Sequence, residues 1–213
     1  MSNIALQTFT NGGNKEDQWT TTTMITNVKE RNNNTSKVVQ MRNVVLEMLH
    51  DILCEGNNNI NNSKEMVTKF ATTITNRWPL LFFGPNLHPF TVVLAARILS
   101  RILITQGTGY INKFRTSSEG FLILLQSLPP HYWSLTQLHE TLIITMMGID
   151  IAQYPMYTSF QIDNIKQCIQ QNQHQSGFLI PDIMPIIVAL WRESVHAAVQ
   201  PLIDDSLGNE KKS

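Results

Sequence analysis

The chain has 213 residues, 42% of them apolar, and lysine plus arginine match aspartate plus glutamate at 16 each. That suits one domain or one stretch of a larger array, with enough apolar residues for a core. A net charge of zero exerts no global pull on nucleic acid, and two cysteines, Cys54 and Cys168, are too few for a disulfide framework.

Both cysteines read as ordinary intracellular thiols, buried as small hydrophobes. The N-terminus lacks the basic region and apolar core of a signal peptide. The glycosylation sequons at Asn33, Asn34 and Asn61 therefore carry little weight. Residues 1–36 are rich in Thr, Asn and Gly and are expected to form a disordered polar tail. The same texture returns at 56–63, read as a loop, and at 167–176, read as a helix end running into a loop.

The rest is helical in pattern. Val38, Met41, Val45, Met48, Leu49 and Ile52 repeat at three- and four-residue spacing. They predict an amphipathic helix over 37–54 with those residues facing the core, and Gly56 as a stop. Ser63 precedes a second helix carrying Val67, Phe70, Ile74 and Trp78, which Pro79 disrupts. The strongest element spans 89–106, with Pro89 in its first turn and Gly107 at its end. Val92, Ala95, Leu99, Ile102 and Leu103 share one face there, and Arg97 and Arg101 fall opposite. Phe90, Val93 and Ile104 flank them, so the helix is apolar on most of its circumference and is expected to be covered on two sides. Its apolar run over 92–104 is too short for a membrane span, which needs about 20 residues.

Tyr110, Ile111 and Phe114 mark a short helix. Ser118 is the expected cap of a helix holding Phe121, Leu122, Leu124 and Leu125, which Pro129 and Pro130 stop. Ser134 is the expected cap of the next, with Gln137 as capping-box partner and Gly148 at the end. Leu135, Leu138, Leu142, Ile143 and Met146 form its apolar stripe. A last helix over about 181–199 places Ile183, Ile187, Leu190, Trp191 and Val195 inward. The fold class is all-α, as an irregular armadillo-like α-solenoid segment or alternatively a compact helical bundle. Its domain spans 37–200, between the tail at 1–36 and a polar tail at 201–213.

Catalytic patterns are missing. There is no G-x-S-x-G elbow, H-E-x-x-H or C-x-x-C pair. Gly107-Thr108-Gly109 follows a helix and lacks the G-K-[ST] ending of a phosphate loop. His131 and His139 flank a helix start and read as caps or surface groups, and nothing places a nucleophile beside His139, Glu140 or Asp150. The expectation is no enzyme, no metal and no cofactor.

One feature rises above background. No acidic residue lies between Met66 and Ser118, whereas Lys69, Arg77, Arg97, Arg101, Lys113 and Arg115 all do. Two readings follow. Arg97, Arg101, Lys113 and Arg115 form a surface facing a partner or an anionic membrane, or the cations of the window pair with acids of adjacent helices.

Residues 86–151 also carry a recognisable pattern. His88-Pro89 opens an apolar helix with Arg97 near its middle, Tyr110 and Phe114 follow, and Gly120-Phe121 opens another helix. A short loop with Tyr132-Trp133 then precedes a helix that ends in Gly148 and Asp150. This resembles the armadillo-like helical region of BEACH-family proteins, especially the Alfy-like branch, with fungal-looking Asn- and Gln-rich inserts. The resemblance implies a non-catalytic scaffold or adaptor segment in vesicle trafficking, membrane dynamics or autophagy. Its partners would be proteins, including adjacent BEACH-protein modules, with peripheral contact to anionic membrane and no nucleic acid. The implied location is cytoplasmic or peripheral to membranes. The alternative is a helical lipid- or peptide-binding domain, and the family's PH-like, BEACH and WD-repeat parts are not in these residues.

Overall fold

A computed structural model describes residues 37–54, 60–154 and 180–210, and among them the only regular structure is helical. Helix α1 spans Lys37–Cys54, α2 Ile60–Thr73, α3 Pro89–Thr116, α4 Gly120–Ser127, α5 Pro129–Tyr132, α6 Thr136–Met146 and α7 Met184–Glu210. Three 3-10 turns lie at Trp78–Phe82, Ile151–Gln153 and Pro181–Ile183. The expected tail at 1–36 and the 167–176 segment, with Cys168, lie outside the described residues.

Helix α3 is the hub. Helices α1 and α2 pack on it, as do α4 and α6, while α7 rests on α4, α5 and α6. Every residue from Thr91 to Leu103 is buried, so the helix is covered all round. It is long and apolar enough to cross a bilayer by length and composition alone, but 72% of its most apolar window is buried against other helices. Pro89 opens it with φ preset, and His88 Nδ1 accepts the Phe90 N–H at 3.2 Å as the N-terminal cap. Gly107 breaks it as expected. Its φ of 67° and ψ of −157° are non-helical, and the chain resumes helical geometry through Tyr110, Ile111 and Phe114, all buried.

The 84–87 loop is held by one side chain. The Leu87 N–H donates to Tyr132 Oη at 2.8 Å, and that hydroxyl donates to the Gly84 carbonyl at 2.8 Å. Helix α6 ends at Met146, and Gly148, with φ of 71°, turns the chain just beyond it: Gly148 N–H reaches the Thr145 carbonyl and Ile149 N–H the Ile144 carbonyl.

Several sequence expectations shift. Helix α2 begins at Ile60, inside the polar stretch read as a loop, and ends at Thr73, so Trp78 opens a separate turn. Ser118 and Ser134 are each one residue too early to cap. The first helical acceptors are the carbonyls of Glu119, bonded by Ile123 N–H at 3.0 Å, and of Leu135, bonded by Leu138 N–H at 3.0 Å. Pro129 and Pro130 end α4 and also start α5, because proline suits a first turn. Helix α7 continues to Glu210, so the boundary expected at 200 falls within a helix.

Two helix faces are rotated from expectation. On α1, Val38, Met41, Val45, Met48 and Ile52 are exposed, and Val39, Arg42, Asn43, Leu46, His50, Leu53 and Cys54 are buried. On α7 and the turn before it, Ile183, Ile186, Ile187 and Leu190 face in, whereas Trp191 and Val195 are 51% and 61% exposed. Trp191 sits about 100° round from Leu190, beyond the edge of the buried face. After Ser194, whose hydroxyl lies 3.2 Å from the Trp133 carbonyl, residues 195–200 are all exposed.

The α3–α4 junction depends on a missing Cβ. The Phe114 and Phe121 rings meet edge to face at 5.0 Å, and a Cβ on Gly120 would sit 2.2 Å from the Phe114 ring. Phe114 is fully buried and has little room to give way. Gly120→Ala is therefore expected to destabilise the fold by about 1–3 kcal/mol through overpacking. Thermal unfolding followed by circular dichroism checks this, and an unchanged midpoint would show that the ring relaxes freely.

Candidate interaction surface

The rotation of α1 has a cause in α3. Arg97 and Arg101 stand one turn apart on α3 and are 6% and 1% exposed. A buried guanidinium must find acceptors, because an unpaired charge in the interior costs several kcal/mol. Helix α1 supplies them. Arg97 Nε–H donates to His50 Nε2 at 2.7 Å, and Arg101 Nε–H donates to the Leu53 carbonyl at 3.0 Å. The first bond makes Nε2 of His50 the acceptor and leaves the proton on Nδ1, which faces Asp51 Oδ1 at 3.5 Å.

The seam extends in both directions. Arg42 Nη2–H donates to Thr91 Oγ1 at 3.2 Å, and the Thr91 hydroxyl donates to Asn43 Oδ1. Arg97 also reaches the Tyr154 carbonyl, and Arg101 is ion-paired with Asp150. Cys54 Sγ donates to the Arg97 carbonyl at 3.8 Å and is 1% exposed, in keeping with its reading as a buried thiol. The α1 members of this seam, Arg42, Asn43, His50, Leu53 and Cys54, all lie on the side of the helix opposite its apolar stripe. Burying the polar side therefore turns Met41, Val44, Val45 and Met48 to the surface.

The basic surface expected of Arg97, Arg101, Lys113 and Arg115 does not assemble. Arg97 and Arg101 are interior, since their charge is satisfied by α1 and by Asp150. Arg115 is exposed but forks onto Asp182, with Nε–Oδ1 at 2.7 Å and Nη2–Oδ2 at 2.6 Å. That contact holds the Asp182 carboxyl below the usual carboxylate range and ties α3 to the Pro181–Ile183 turn. Lys113 alone of the four remains exposed without an acidic partner described here. Lys69 pairs with Glu65 at 2.8 Å on α2. Three of the six cations of the acid-free window, Lys69, Arg101 and Arg115, thus engage acids from outside it: Glu65, Asp150 and Asp182.

Two of the residues weighed for chemistry make local contacts. His139 Nε2 lies 2.7 Å from the Trp133 carbonyl, and Asp150 caps the Ile151–Gln153 turn through Ala152 N–H at 3.1 Å. Among the described residues no group of three His, Cys, Asp or Glu side chains is placed to hold a metal. A cavity of about 10 Å³, lined by Phe83, Leu99, Ser100, Phe121 and Leu142, has room for roughly one water.

What the surface does carry is apolar. Val38, Met41, Val44, Val45, Met48 and Ile52 form one stripe along α1, between 38% and 62% exposed. Met184, Val188, Trp191, Val195 and Val199 form another along α7, between 41% and 61% exposed. The periodicity of the α1 stripe was visible in the sequence, but its outward direction was not. On α7 the sequence assigned Trp191 and Val195 inward. Comparison of the chain with known protein families, curated proteins and solved structures returns no match.

Two predictions follow from the polar seam. Arg101→Glu puts an unmatched acid beside Asp150 in the interior and is expected to cost about 3–5 kcal/mol or more. Urea unfolding measures it, and a variant as stable as the parent would return Arg101 to the surface. The second concerns Glu140, half-buried on α6, whose carboxyl is pushed up to about 7 because burial disfavours its charge more than nearby Arg97 restores it. Between about 4.5 and 7 the folded chain then holds a proton that the unfolded chain has lost. Stability from this group falls as pH rises through that window. Glu140→Gln should flatten the slope of stability between pH 5 and 7, as read from unfolding midpoints across pH; an unchanged slope would assign it to another group.

Proposed function

We propose that the chain is a non-catalytic helical scaffold segment, built as part of an α-solenoid, whose terminal helices dock further helices. The observation that carries this reading is the outward apolar stripe of α1, an α-helical face of Met, Val and Ile side chains exposed while Arg42, Asn43 and His50 of the same helix are buried. Monomeric proteins seldom present contiguous apolar patches of several hundred Å² without a partner. The element order supports a solenoid over a closed bundle: α3 and α6 lie in the middle, and α1 and α7 each rest on a different set of neighbours.

This reading agrees with the BEACH-type resemblance of residues 86–151, whose implied role is a cytoplasmic scaffold in trafficking or autophagy. Arg97 anchors α1, Gly120 admits Phe114, and Tyr132 clamps the 84–87 loop. Proteins are the favoured partners over anionic membrane. The α1 stripe is flanked by Glu47 and Asp51 as well as Lys37, whereas a membrane-lying helix favours a strongly basic polar face.

Reading the coding frame beyond the Ser213 codon tests the family assignment. Continuation into PH-like, BEACH and WD-repeat sequence is expected. A stop codon there would leave a stand-alone helical docking protein and remove the trafficking role from the proposal.

A further inference from the structure

The two apolar stripes share one grammar. On α1, β-branched Val38, Val45 and Ile52 alternate with unbranched Met41 and Met48 at steps of three and four residues. On α7, β-branched Val188 and Val195 alternate in the same steps with Met184 and Trp191. That is the a/d pattern of a helix–helix seam, in which side chains of one helix fit between those of another. Within the described fold both seams are open, since each helix buries a different face. Residues 195–199 are exposed, so the α7 stripe is open to a second body along this stretch.

From this we infer that the chain stacks head to tail on a second copy of itself, the α1 stripe of one copy seating against the α7 stripe of the next. Three observations favour this occupant. Together the two stripes expose on the order of 1,000 Å² of apolar surface, about the size at which a specific interface becomes stable. Each contact removes both exposed stripes at once. The stacking continues the layered order of the fold, with α7 of one copy followed by α1 of the next. Because the two surfaces differ, the contact is heterologous and leaves a free stripe at each end, so it grows beyond a dimer. This inference deepens the scaffold reading and rests on it.

Mass measurement of the whole chain by light scattering after size exclusion tests it, with Met48→Glu closing the first stripe and Val195→Glu the second. The parent chain is expected to gain mass with concentration, past twice the monomer value at tens of micromolar. Each variant alone is expected to stay monomeric, and an equimolar mixture of the two to form a dimer that grows no further. Only unlike surfaces give that complementation. Both positions are about 60% exposed, so the fold should tolerate the charge. If either variant loses its helical melting transition, Met41→Glu or Val188→Glu replaces it. A monomeric parent at all concentrations, or a mixture that stays monomeric, overturns the inference. So does a dimer that one variant abolishes and the other leaves intact, which would mean like stripes pair. A monomeric parent that sediments with phosphatidylserine vesicles through Met48 would give α1 to a membrane instead. Failure of self-stacking with a coding frame that continues past Ser213 would leave the scaffold reading standing with other helices as occupants.

Discussion

The structure turns on two arginines held in the interior. Arg97 and Arg101 lie on a helix that is buried all round, and each needs acceptors within reach of its guanidinium. The neighbouring helix is chosen and oriented by that need. Helix α1 brings the His50 ring and the Leu53 carbonyl against α3, and Asp150 closes the other side. Removal of a partner from such a seam costs far more than the seam contributes over a purely apolar contact. Its role is therefore to specify which face of α1 packs inward, rather than to add net stability.

That specification reaches the surface. A helix with one purely apolar face and one mixed face would, by hydrophobic burial alone, turn the apolar face inward. Here the mixed face holds Val39, Leu46, Leu53 and Cys54 besides its polar groups, so burying it still removes a full apolar row from water. The cost of leaving two arginines unmatched outweighs the gain from burying Met41 and Met48 instead. The outward stripe is thus a consequence of the interior polar seam. A scaffold can use such a device, because an apolar docking face persists without weakening the contact that holds its helix in place.

The same logic disperses the acid-free window. Six cations in a row of residues look like a binding face in one dimension, yet three of them meet Glu65, Asp150 and Asp182 once the chain folds. The Arg115–Asp182 fork spans a long sequence separation and fixes the turn that launches α7. Charge asymmetry along the chain is therefore used to join α3 to later elements, through Arg101–Asp150 and Arg115–Asp182.

The sequence by itself determined that the chain is helical, the limits of α1, the proline start and glycine break of α3, and the glycine end of α6. These depend on near-neighbour rules of spacing, capping and backbone freedom that act within a few residues. It also marked Arg97, Tyr132 and Gly120 within one recognisable pattern, without saying what any of them touches. Tertiary structure alone decided that Arg97 and Arg101 are interior, that α1 shows its apolar stripe to solvent, and that Trp191 and Val195 point outward. Those outcomes depend on which acceptors and which neighbouring helices arrive from far along the chain. Periodicity shows that a helix has two unlike faces, but the choice of face belongs to the partner it packs against.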